Sequence, residues 1–95
     1  MKIRLKGNLE TGQVWLNGKP LPLAPSLKIR NHSPTGFSWG YLGSGPSQLA
    51  LAILLDLYGP EYALDCYMQF KEDVISRLPQ EDFETEIDLE SSCNS

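Results

Sequence analysis

The chain is poor in the residues that most often carry chemistry. Its 95 residues include two cysteines, Cys66 and Cys93, and one histidine, His32. The cysteines are widely separated, with no Cys-x-x-Cys and no histidine at metal-ligand spacing, so neither a zinc site nor a disulfide framework is expected. A reduced, cytoplasmic protein fits that pattern. The longest apolar run, residues 49–55, is too short to span a membrane. The first residues alternate in charge instead of leading into an apolar segment, which argues against a signal peptide. Basic residues are scarce as well. Eight of them against twelve acids leave a net charge of -4 and a pI near 4.8, a poor balance for gripping phosphates by bulk charge.

What is present is enough for one small core. Hydrophobic residues make up 41% of the chain and aromatics 9%, so wholesale disorder is excluded. A single domain over residues 1–90 is expected, with residues 91–95 as a frayed tail. The charge is unevenly placed: residues 1–30 carry a net +5 and the remainder a net -9. Such a split either makes a basic face or lets the two parts attract each other, and the second is the simpler reading.

Taken in order, residues 1–6 alternate Ile3 and Leu5 with Lys2, Arg4 and Lys6, the period of a half-buried strand. Residues 13–16 form a second strand of β-branched and aromatic character. Asn17-Gly18 supplies the positive-φ pair of a tight hairpin, and residues 19–23 return as a short edge strand limited by Pro20 and Pro22. Residues 27–45 show no helical period and are read as a long loop. A helix from Pro46 to Tyr58 is apolar on every side, hence central and buried. A second helix from Pro60 to about Leu78 carries the stripe Ala63, Tyr67, Phe70, Val74 and Leu78. The acidic stretch 80–90, anchored by Phe83, Ile87 and Leu89, reads as a short strand or helix at the surface.

The loop and the apolar helix form one continuous stretch, RNHSPTGFSWGYLGSGPSQLALAILLDL, over residues 30–57. It offers Arg30, Asn31, His32, Trp39, Tyr41, Ser44 and Ser47 as candidate contact residues. Glycine-rich backbone before a helix can hold an anion, although no Walker or dinucleotide spacing is present. The competing view is that the glycines only allow close packing. His32 as a general base would need Ser33 or Ser44, and an acid such as Asp56 to orient it; nothing in the spacing selects those partners, and a loop-fixing histidine is the simpler reading. Phe37, Trp39 and Tyr41 make either a stacking surface or an aromatic cover for the helix, and the second is favoured. Cys66, beside the helical stripe, is read as a small core residue. No metal or cofactor is expected.

Three blocks together resemble domain-of-unknown-function family 6166. They are Asn17-Gly18-Lys19-Pro20-Leu21, the Asn-His-Ser-Pro…Gly-Phe…Trp-Gly-Tyr…Gly-Ser-Gly-Pro series from Asn31 to Pro46, and Tyr67, Phe70, Lys71, Val74, Ile75, Arg77, Leu78 and Pro79. The resemblance covers nearly the full length and departs at the acidic C-terminus. It implies a small bacterial or phage protein and carries no assigned activity, cofactor or catalytic residue.

The resulting expectation is an α+β fold: a small antiparallel sheet of two to four strands on a buried helix and an amphipathic one. The expected function is non-enzymatic binding or modulation of an unidentified protein partner, with no membrane and no direct nucleic-acid contact, and with homodimerisation left open. The rival expectations are a small ligand or anion, or an enzyme site, at the helix start around residues 43–47, and an acidic inhibitor of a nucleic-acid enzyme.

Overall fold

In the computed structural model, which describes residues 1–89, the alternation at the N-terminus becomes strand β1, Lys2–Asn8. Ile3, Leu5 and Gly7 are buried and Lys2, Arg4 and Lys6 face water. β2, Gln13–Leu16, pairs antiparallel to it, and Asn17 (φ 52°) with Gly18 (φ 83°) turns the chain into β3. β3 is only Lys19–Pro20, shorter than the expected run through residue 23, because a helix starts soon afterwards. That helix, α1 (Ala24–Ile29), was not expected. Six residues are too few to show a helical period, and Pro25 in its first turn is the only local signal.

The acidic stretch resolves into β4, Phe83–Asp88, paired along its whole length with β1. The sheet order is β3-β2-β1-β4, all antiparallel. This pairing is where the two oppositely charged parts of the chain meet. Lys2–Glu86 (3.8 Å), Arg4–Glu84 (3.6 Å) and the N-terminal amine–Asp88 (3.6 Å) line up across the outer face. All six groups are well exposed, so each pair is worth at most about 1 kcal/mol. The pairs align the strands more than they hold them.

One face of the sheet carries the helices. α2 (Ser44–Tyr58) is buried from Gly45 to Leu54, as an all-apolar helix must be. α3 (Pro60–Asp73) packs along it through Ala63, Cys66, Tyr67 and Phe70. Gly59 (φ 90°) makes the break between them. The expected continuation of α3 to residue 78 ends early; a 3-10 turn at Ile75–Arg77 buries Ile75, which the stripe did not include, while Val74 and Leu78 are only partly buried. Ile3, Leu5, Val14 and Leu16 share one core with Trp39 and the buried face of α2. The architecture is α+β. Cys66 is 5% exposed and is not a free thiol, so the expectation of an uncrosslinked, reduced chain is not met there. The tail at 91–95, including Cys93, lies outside the described residues.

Gly7 shows how tightly this core closes. A Cβ there would lie 2.6 Å from the Phe83 ring and 2.8 Å from that of Trp39. The Trp39 ring is fully buried and cannot swing aside, and the half-buried Phe83 ring packs against it. Gly7→Ala is expected to cost about 1–3 kcal/mol. Thermal unfolding checks this, with a fall in Tm of roughly 4–8 °C per kcal/mol.

Candidate functional site

The loop before α2 is built around a buried amide. Gln48 is fully buried in the first turns of α2. Its Oε1 accepts the backbone N–H of His32 (2.7 Å) and of Ser33 (3.0 Å). Its Nε2 donates to Ser26 Oγ (2.8 Å) and to the Arg30 carbonyl (3.0 Å). One side chain thus ties the end of α1 and the start of the loop to the central helix. It satisfies backbone groups that would otherwise be left without partners. Gln48 was not singled out in the sequence. The available signal is its position, the first side-chain amide at the head of an otherwise apolar helix.

His32 is half-buried and its Nε2 lies 2.8 Å from the Tyr67 hydroxyl on α3, with the two rings 5.6 Å apart. Its ring therefore braces the loop against α3. The other members of the conceived relay are elsewhere. Ser33 Oγ donates to the Gly36 carbonyl (2.7 Å). Asp56 sits eight residues beyond Gln48, about 12 Å further along α2, and is exposed. It lines a separate groove with Leu21, Pro22 and Pro25.

Of the aromatic trio, two are core. Trp39 is fully buried and Phe37 is 8% exposed. The Trp39 ring meets Phe83 of β4 edge-on (5.1 Å, 76°), and its Nε1 donates to the Glu81 carbonyl (3.0 Å). Tyr41 instead points outward and is 42% exposed. Its ring lies over the glycines at the head of α2: a Cβ on Gly43 would come within 2.5 Å of it, and one on Gly45 would meet Ser38 at 2.7 Å. The glycines therefore make room for Tyr41 and Ser38, in line with the close-packing view. Ser47 is buried, and its hydroxyl donates to the Gly43 carbonyl (2.9 Å).

Between this corner and the β1–β2 turn lies an open cleft of about 390 Å³. Thr11, Ser33, Thr35, Ser38, Tyr41 and Ser44 are among the residues lining it. Leu9 and Tyr41 are both in its wall and both exposed, and Leu42, next in the chain, is 66% exposed. His32 is not one of its walls.

The model of a family of unknown function, DUF6166, matches residues 5–93. The chain belongs to that family. No curated protein and no solved structure matches it. In this DUF6166 member the candidate residues divide in two. Arg30, Asn31, Tyr41 and Ser44 are exposed. Trp39 and Ser47 are interior, and the half-buried His32 is bonded to Tyr67. Sequence reasoning missed Leu42 and Leu9, because a single leucine in a loop carries no periodic signal. Among the described residues no group of three or more His, Cys, Asp or Glu side chains is placed to hold a metal ion, and no helix is long and apolar enough to cross a membrane.

Proposed function

We propose that the protein works by binding another protein through the Tyr41–Leu42 corner and the polar cleft behind it. The observation carrying this reading is the exposure of Leu42 (66%) and Tyr41 (42%) on a firmly anchored turn. Trp39 roots the turn in the core on one side, and α2 receives the Tyr41 ring on the other. A rigid tyrosine with an apolar neighbour and hydroxyls around it has the make-up of an interface anchor with a polar rim. Arg30 and Asn31 remain exposed candidates on the same connecting segment. The contact set thus shifts from Trp39 and His32 to Tyr41 and Leu42.

A photo-crosslinking residue at position 42 tests this in native lysate. It is expected to capture a discrete partner, displaced by excess unlabelled protein and lost in a Tyr41→Ala variant that remains folded. Capture unchanged by Tyr41→Ala would sink the reading. The cleft favours a second reading, a small polar or anionic ligand at Ser44, where free N–H groups of the α2 N-terminus accompany the hydroxyls. Saturable shifts of the Ser44 and Gly45 amides with inorganic phosphate would favour it over the first.

A further inference from the structure

Among the described residues β4 is an end strand of the sheet, and no strand pairs with its outer edge. Among the described residues, the backbone of residues 84–88 makes no hydrogen bond outside its ladder with β1. The strand is six residues long and contains no proline. Phe83, Thr85 and Ile87 on its core side are only half-buried, whereas Ile3 on the adjoining strand is 2% exposed and Leu5 fully covered. The cover of the core thins where a further strand would sit. An edge of this kind is a template for strand addition, and proteins commonly guard such edges with charge.

The guard here has one sign. Glu84, Glu86 and Asp88 form an exposed row on the outer face. A second copy adding antiparallel would set this row against its own acids, and like charges directly opposite destabilise a pair. A strand with basic residues at alternate positions would be matched. β1 already demonstrates the fit on the other side, with Lys2, Arg4 and the N-terminal amine facing those acids and Ile3 and Leu5 facing the core.

We propose that the free edge of β4 docks an extended segment of a partner protein in which lysine or arginine alternates with apolar residues. This surface is separate from the Tyr41 cleft and does not depend on that reading. The probe is a synthetic peptide with the sequence of residues 2–8, titrated into the isotope-labelled full chain at low salt. Saturable shifts are expected at the amides of residues 83–88, with binding weakening as salt rises. Glu84→Gln with Glu86→Gln removes two cross-strand pairs and is expected to weaken binding by about fivefold. Tyr41→Ala is expected to bind the peptide as the parent does. The proposal is overturned if a peptide of the same composition with its basic residues clustered binds equally well. It is also overturned by shifts mapping away from β4, by no response at millimolar peptide, or by a dimer of the chain formed through β4.

Discussion

Replacing Trp39 with alanine is expected to remove about 3–5 kcal/mol of folding free energy. That is a large share of the total, which for a domain is on the order of 5–15 kcal/mol. Trp39 is fully buried where three parts of the chain meet. Its ring packs against Phe83 of β4, it lies over Gly7 of β1, and its indole N–H holds the Glu81 carbonyl. Truncation leaves a cavity that these rigid neighbours cannot fill, together with a carbonyl deprived of its donor. Urea unfolding reads the effect as a lower midpoint at an unchanged slope. Trp39→Phe separates the two contributions. It restores much of the apolar volume but not the hydrogen bond, and about 1–3 kcal/mol of the loss should remain. A Trp39→Ala protein within about 1 kcal/mol of the parent would show that the loop is not rooted there.

Gln48→Leu is expected to cost about 2–4 kcal/mol, although leucine is an equally good helix former and nearly the same size. The loss arises from what Gln48 leaves behind. The N–H groups of His32 and Ser33 and the carbonyl of Arg30 lose their partner, and Ser26 loses a donor. The groups in the loop are only partly buried, so water recovers part of the loss and keeps the cost below that of three deeply buried orphans. The more diagnostic measurement is amide hydrogen exchange. Protection of His32 and Ser33 should fall selectively, with the interior of α3 little changed. Unchanged protection at those two amides would mean that the loop is held by other contacts, chiefly the His32–Tyr67 bond.

Both residues mark the boundary of what can be read from the chain. Residues 46–58 announce a buried helix because no face is polar, although the helix starts two residues earlier at Ser44, and residues 2–6 announce a half-buried strand because every second side chain is charged. Those patterns are local and repeat over several residues. Trp39 and Gln48 have no such redundancy. An aromatic residue in a loop and an amide on a greasy helix each permit exposure or burial, and only the partner decides. For Trp39 the partner is 44 positions away at Phe83, and for Gln48 it is the loop 15 and 16 positions before. The candidate site was legible in the same partial way. The pattern singled out the stretch as a candidate, but not which of its side chains face outward.

By itself, the sequence determined the hairpin at Asn17-Gly18, the buried α2, the amphipathic α3 and the separation of charge along the chain. Turn chemistry and hydrophobic period act within a few residues, so a linear reading contains them. Tertiary structure alone decided that the acidic stretch is an edge strand in register with β1, that residues 24–29 form a helix, and that Gln48 clamps the loop. It also turned Trp39 inward and Tyr41 outward. Each of these depends on which distant group supplies the hydrogen bond or the apolar cover. That is a property of the folded arrangement and not of any short stretch.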